Sequence, residues 1–352
     1  MEELERLPIP LLEWYREHAR ELPWRPRPGG EWGDPYRVWV SEIMLQQTRV
    51  TAVLEYYRRF MEALPTVAEL AAVTEDRLMK LWQGLGYYNR ARNLQRAARH
   101  IMDECRGEFP LTYEAWKGLP GIGEYTAGAI ASIAFGQAVP AVDGNVLRVV
   151  CRITGDRGDI TRPDTKKRVW RGLREVIPSS LPGDFNQAMM DLGAMVCLPN
   201  GAPLCDQCPL GEFCRARLED KTGELPVKAA KKARRVEERK VYLLFCGGRV
   251  ALRRRPEKGL LAGLWEYPSV PAGEAGALEK WGIVPRCSLE EGGPVKHIFT
   301  HVEWRMRAVA AETEGEDLPE GWVWAGREEL DRTYAVPGAF CGFAHLVEKY
   351  IG

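Results

Sequence analysis

Apolar residues recur at helical spacing through the first two-thirds of the chain. Tyr36 to Leu64 reads as one amphipathic helix, with Val38, Ile43, Leu45, Val50, Val53, Leu54 and Phe60 on its apolar face. Thr74 is placed to cap a helix through Leu78, Leu81 and Trp82, with Glu75 and Asp76 in its first turn. Further helices are predicted over Ala91 to Cys105, Thr126 to Phe135, Asp164 to Ile177 and Asp184 to Val196. No strand pattern interrupts them. Near residue 220 the pattern changes. Lys221 to Lys240 is polar and basic on balance, which suits a solvated linker and also a strap touching a nucleic-acid backbone. Strand patterns follow. Val241–Cys246, Gly247-Gly248 and Arg249–Leu252 predict a hairpin. Val295 to Met306 and Ala308 to Glu312 predict a second strand pair, Trp322–Trp324 another strand, and Phe340 to Tyr350 a closing helix. This part is a separate α+β domain.

Length and composition set bounds. The 352 residues suggest roughly two or three domains. No apolar run approaches the roughly 18 residues that span a bilayer, and the acidic N-terminus lacks a signal-peptide pattern. A soluble cytoplasmic protein with no membrane partner is expected. Lys and Arg number 49, equal to Asp and Glu, so bulk charge does not advertise nucleic-acid binding. Of nine cysteines, Cys105, Cys151, Cys246, Cys287 and Cys341 are scattered and read as small buried hydrophobes. Cys197, Cys205, Cys208 and Cys214 crowd together, at a spacing that points to a metal centre, either zinc or iron–sulfur.

Three segments carry candidate chemistry. In Leu119-Pro120-Gly121-Ile122-Gly123, Gly121 and Gly123 permit positive φ, and the following helix N-terminus offers amides to a phosphate; an ordinary turn has the same signature. Asp143, in Val142-Asp143-Gly144-Asn145, is either a turn residue or a carboxylate held beside a sugar. Glu42 is a lone carboxylate in an apolar stretch. Burial raises its pKa, which suits a general acid, and a structural pair with an arginine is the other reading. Trp82 to Arg90 combines a Gly-Leu-Gly turn with Tyr87, Tyr88 and Arg90, a tip able to wedge into a base stack or to pack in a core.

These motifs, in their order, resemble the MutY-type adenine DNA glycosylases of the helix-hairpin-helix superfamily. The matching segments are LPWR, VWVSEIMLQQTRV, LWQGLGYYNRARNL, LPGIGEYTAGAI, VDGNVLRV, FNQAMMDLGAMVC, the cysteine loop, GLLAGLWEYP and IFTH. The resemblance implies a mainly α catalytic domain over 1–218, with two helical subdomains and an iron–sulfur loop at 197–214. A basic linker at 219–239 and a Nudix-like α+β domain over 240–352 complete it. The implied reaction removes adenine mispaired with 8-oxoguanine or guanine in double-stranded DNA, by a monomeric enzyme. Glu42 matches the acid that protonates adenine at N7. Asp143 matches the carboxylate that stabilises the sugar cation or its covalent adduct, beside Asn145. Arg25 and Gln187 match the adenine pocket, and Gln46, Gln47, Thr48 and Tyr87 the surroundings of the mispair. Gly121 and Gly123 match the hairpin, with a monovalent cation. The cysteines match the ligands of a 4Fe–4S cluster.

Tyr125 stands where endonuclease III-like relatives carry a lysine that cleaves the strand through a Schiff base. Base removal without strand scission is therefore expected, with the Tyr125 hydroxyl bonded near Asp143. Phe299, Thr300 and His301 match the loop that recognises 8-oxoguanine, Thr300 standing where many members have serine. No glutamate cluster of a working Nudix hydrolase follows Gly263. Two features depart from the family pattern: a seven-residue first cysteine spacer in place of six, and an apparent insertion from Pro26 to Gly33. The alternatives are a bifunctional glycosylase/lyase and a non-enzymatic DNA-binding protein.

Overall fold

The structure is a computed structural model and describes residues 2–230 and 233–352. Lys231 and Lys232, part of the basic linker, lie outside the described residues. Two units separate. One comprises Met1–Ala72 and Arg92–Ala230, the other Val73–Ala91 and Lys231–Gly352. Residues 73–91, read from sequence as part of the helical domain, thus group with the second unit. Arg235 to Arg239, read as linker, form the start of a strand.

The helices in chain order are α1 (Glu2–Glu5), α2 (Pro8–His18), α3 (Pro35–Leu45), α4 (Val50–Ala63), α5 (Val67–Ala72), α6 (Glu75–Trp82), α7 (Asn89–Glu104), α8 (Tyr113–Lys117), α9 (Glu124–Phe135), α10 (Gly144–Thr154), α11 (Pro163–Val176), α12 (Pro182–Met195) and α13 (Arg215–Leu218). Asp34 caps α3 by accepting from the Arg37 amide, and Pro35 fits its first turn. The single helix expected from Tyr36 to Leu64 is two. Gln47 takes a left-handed φ of 58° and breaks it between α3 and α4. α3 is buried on nearly all sides, whereas α4 buries one face at Val53, Tyr57 and Phe60.

α9 is the central element of the first unit. Every residue from Thr126 to Ala134 is buried, as expected for a helix apolar all round. It packs against α3, α8 and α12. Close approach depends on Gly128: a Cβ there would lie 2.5 Å from the Pro140 carbonyl oxygen. Asn186 of α12 holds the same loop, accepting from the Ala141 amide at 2.9 Å and donating to the Val139 carbonyl at 2.8 Å. A second core joins α2, α10, α11 and α12 through Leu11, Tyr15, Val150, Leu173, Phe185 and Met189.

The second unit is built on a sheet of β1 (Arg235–Cys246), β2 (Arg249–Arg254), β3 (Trp265–Glu266), β4 (Ser269–Pro271), β5 (Pro285–Ile298), β6 (Val302–Thr313) and β7 (Trp322–Ala325). The order is β3-β2-β1-β6-β5, with β4 on β1 and β7 on β2, and β1 runs parallel to β6. Gly247 and Gly248 both take positive φ between β1 and β2, as a type I′ hairpin turn requires. The second strand pair turns at Phe299-Thr300-His301, not at Arg307, which lies inside β6. The closing helix is a 3-10 turn, Gly338–Phe343, followed by α16 (Ala344–Tyr350); α14 (Ala277–Lys280) and α15 (Arg327–Arg332) precede it. Of the scattered cysteines only Cys151 is buried; Cys105 and Cys246 are half-buried, and Cys287 and Cys341 are exposed. Cys287 sits on β5, the last strand of that order, with one flank unpaired to another strand.

Gly128→Ala forces α9 away from the 139–141 loop and is expected to cost about 1–3 kcal/mol. Urea unfolding of the variant checks this, as a lower midpoint at unchanged slope.

Candidate active site

Packing of α3 against α9 sets the first carboxylate. Glu42 is 5 % exposed, and its Oε2 accepts a 2.6 Å hydrogen bond from the Tyr125 hydroxyl. Tyr125 also contacts the Met190 sulfur of α12 at 3.1 Å. The tyrosine therefore serves Glu42, not Asp143 as the sequence suggested; it lies in the first turn of α9, which packs against α3. Burial raises the Glu42 pKa above the usual carboxylate range. The Tyr125 bond and the Arg25 charge oppose that rise, and Asp143 adds to it.

Asp143 caps α10. Its Oδ1 accepts from the Val146 amide at 2.8 Å, and its Oδ2 from the Asn145 side chain at 2.9 Å. Turn aspartate and candidate sugar-facing carboxylate are thus the same geometry. Burial raises its pKa, and these two donors, which favour the ionised form, oppose the rise. Asn145 is fixed in turn by Arg148, whose Nη2 donates to Asn145 Oδ1 at 2.8 Å and to the Gly193 carbonyl at 2.6 Å. Arg148 was not singled out in the sequence. Its signal was a basic residue on the apolar face of a helix.

A small cavity opens between these elements, lined by Trp24, Arg25, Glu42, Ile133, Gln187 and Met190 among others. Gln187 is 1 % exposed, and its Oε1 has no hydrogen-bond partner. Such a buried acceptor suits a ligand donor. Arg25 pairs at 2.7 Å with Asp191, which is fully buried and also holds Arg20. Asp191 too was missed, although an acid inside FNQAMMDLGAM is a polar break in an apolar helix. The Pro26–Gly33 segment is tied down next to this region. The Gly33 amide donates to the Ile133 carbonyl, and the Gly29 amide donates to Asp184.

The hairpin joins α8 to α9. Gly121 takes a φ of 76°, whereas Gly123 is extended at −94° and precedes α9 as its N-cap. Only Gly121 therefore needs the left-handed region. Both are exposed, and the α9 N-terminus presents amides there. Gln46, Gln47 and Thr48 form the break after α3, and the Gln46 amide reaches Thr126 Oγ1 at 3.3 Å.

The other candidates lie in the second unit. Tyr87 is 47 % exposed with a φ of 49°. Its hydroxyl lies 3.0 Å from Thr300 Oγ1. Phe299 packs edge-on against His297 and Trp304. Thr300 and His301 are exposed.

Cys197, Cys205, Cys208 and Cys214 line one cavity together with Arg152 and Arg217. Gly201 turns the long first spacer at a φ of 73°. All four thiols are free of disulfides, and burial pushes Cys208 up to about 12. Arg152 of α10 donates to the Cys197 sulfur at 3.3 Å. Among the described residues no three His, Cys, Asp or Glu side chains form a group able to hold a single metal ion. The four thiols line one cavity, a donor set that fits a metal centre.

The site thus brings together a glycine hairpin before the buried helix α9, an aspartate capping α10 and a buried glutamate on α3. Residues 40–175 match the family described as HhH-GPD superfamily base excision DNA repair protein, and residues 240–343 match the NUDIX domain. The adenine DNA glycosylase of Homo sapiens is 37 % identical over 91 % of this chain and 70 % of that protein. The chain belongs to the adenine DNA glycosylase family. Among solved structures, a thermostable thymine-DNA glycosylase superposes with a TM-score of 0.55 at 26 % identity, covering 62 % of this chain and 98 % of that one. A non-covalent endonuclease III–DNA complex superposes at 0.52 and 26 % identity, over 62 % and 97 %. The chain is thus an enzyme of base-excision repair, a DNA glycosylase with a C-terminal Nudix-like domain. Among the described residues no helix is long and apolar enough to cross a membrane.

Tyr125→Phe removes a hydrogen bond that favours the charged Glu42. Its titration midpoint, followed by carboxyl-carbon NMR, is expected to move up, by roughly one unit.

Proposed function

We propose that this enzyme removes adenine paired with 8-oxoguanine or guanine in duplex DNA, without cutting the strand. The observation that carries the reading is buried Glu42, bonded to Tyr125, at the wall of a cavity that also holds the unpartnered Gln187 carbonyl oxygen. Adenine flips out of the stack, at a cost of a few kcal/mol. The Gln187 carbonyl accepts from its amino group. Glu42, whose pKa burial raises, donates its proton to N7. The bond from C1′ to N9 then breaks, and its electron pair passes to the base. Asp143 stabilises the sugar cation or bonds covalently to C1′, and water finally takes that position. Tyr125 has no amine, so no Schiff base with the sugar forms at that position. The amides of Gly121, Gly123 and Glu124 hold a backbone phosphate, and a monovalent cation at the hairpin belongs to the same reading. Tyr87 wedges into the stack, while Phe299, Thr300 and His301 recognise 8-oxoguanine on the opposite strand. A 4Fe–4S cluster on Cys197, Cys205, Cys208 and Cys214 supplies the organisation of a loop that has almost no apolar core of its own.

A duplex carrying adenine opposite 8-oxoguanine is expected to lose adenine, with strand breaks appearing after alkali. Glu42→Gln and Asp143→Asn should each lower single-turnover base release by at least about a hundredfold. Either variant at full rate would falsify its assigned role. Glu42 acts in its protonated form, so the rate should be high below its raised pKa and fall as pH rises through it. Borohydride trapping of a protein–DNA adduct would instead favour a glycosylase/lyase.

The purified protein is expected to be coloured, with a broad band near about 400 nm from thiolate-ligated iron and sulfide. A colourless protein containing zinc would remove the cluster assignment.

A further inference from the structure

The base-removal reading leaves one fully buried charge unused. Asp191 of α12 has no exposed side-chain surface. Both its oxygens are engaged: Oδ1 accepts from Arg20 Nε at 2.8 Å and from Arg20 Nη2, and Oδ2 accepts from Arg25 Nη1 at 2.7 Å and from the Arg20 amide at 3.2 Å. Arg25 is nearly buried, 9 % exposed, whereas Arg20 is 25 % exposed. The guanidinium of Arg25 lies on the wall of the cavity that holds Glu42. A buried carboxylate and two arginines leave one net positive charge facing a carboxyl group that must keep its proton.

We infer that Asp191 is a positioning residue for base removal: it fixes the Arg25 guanidinium at the cavity wall and offsets the charge that this guanidinium directs at Glu42. The inference rests on the proposed role of Glu42 as the acid. The groups acting on Glu42 are Tyr125 from α9, Arg25 from the segment between α2 and α3, and Asp143 at the cap of α10. Arg25 in turn is acted on by Asp191 from α12 and by Tyr15 from α2. Gln187 and Met190 complete the α12 side of the cavity and carry no charge. Within this set, Asp191 and Arg20 change the field of Arg25 without touching Glu42. Removal of the Asp191 charge leaves Arg25 uncompensated and favours the ionised, inactive form of Glu42. Removal of the Arg20 charge frees Asp191 to offset Arg25 more fully, with the opposite sign.

The test is the pH profile of single-turnover adenine release by the full chain, on a duplex with adenine opposite 8-oxoguanine. Asp191→Asn is expected to move the midpoint of the falling limb down by roughly one unit or less, with up to about tenfold loss on its alkaline side. Asp191→Glu should return it towards the wild-type position. Arg20→Gln should move it up. A role in packing alone would lower the rate by one factor at every pH, and an unmoved midpoint in Asp191→Asn overturns the inference. If circular dichroism shows that Asp191→Asn does not fold, Arg20→Gln decides: a midpoint that stays or falls overturns it. Wild-type protein that releases no adenine, or a limb that survives in Glu42→Gln, defeats the acid assignment itself.

Discussion

Everything in the first unit is arranged around one expensive group, the Glu42 carboxyl inside a helical core. An ionised carboxylate at that depth carries a penalty of several kcal/mol unless it is paired. The surroundings stop short of pairing it. Tyr125 gives one hydrogen bond, and the nearest cation, Arg25, is bound to Asp191 instead. Burial therefore shifts the Glu42 carboxyl towards its protonated form. An acid whose proton is held by desolvation is available at a pH where a surface carboxylate has lost it. The same burial requires a dry wall, and α9, apolar all round and packed to Gly128 against the 139–141 loop, supplies it.

The second carboxylate is governed by a different constraint. Asp143 sits at a helix N-terminus, where a carboxylate is favoured by the cap bond and by the helix dipole. Its two donors fix its orientation before any substrate arrives. α10 then behaves as a strut. Its first turn holds Asp143 and Asn145, and its Arg148 reaches both Asn145 and the Cys197 carbonyl. One turn further, Arg152 reaches the Cys197 sulfur and the Leu198 carbonyl. The cysteine loop and Asp143 are thus both tied to one helix. Because asparagine caps helices as well as aspartate does, Asp143→Asn removes the charge while keeping the strut. Loss of activity in it reads as chemistry.

What could be read from the sequence follows how far each interaction reaches along the chain. The boundaries of α7, α9, α11 and α12 were legible to within two residues, because period and burial are local, whereas α8 and α10 were not read as helices. The break at Gln47 was not legible, because apolar residues continue on both sides of it and give no sign of a left-handed residue between them. Glu42 and Asp143 were visible as acids out of place. Their partners were not: Tyr125 lies 83 positions from Glu42, and Asp191 lies 166 from Arg25. The assignment of Tyr125 to Asp143 failed for that reason. The scattered cysteines show the converse error, since apolar neighbours in sequence do not bury Cys287 on an edge strand.

Tyr87 shows how the second unit holds a strained group in readiness. A tyrosine at a φ of 49° is costly, of order 1–3 kcal/mol, and persists only where neighbours over-determine it. Here Gly84 and Gly86, both at positive φ, shape the turn, the Arg90 guanidinium lies 5.5 Å from the Tyr87 ring, and Thr300 meets its hydroxyl. The result is an aromatic ring nearly half exposed but not free to collapse onto the surface. Relaxing the turn would gain stability and lose that presentation. The Thr300 hydroxyl lies within hydrogen-bond distance of Tyr87. The residue matched to 8-oxoguanine recognition thus also meets the proposed wedge.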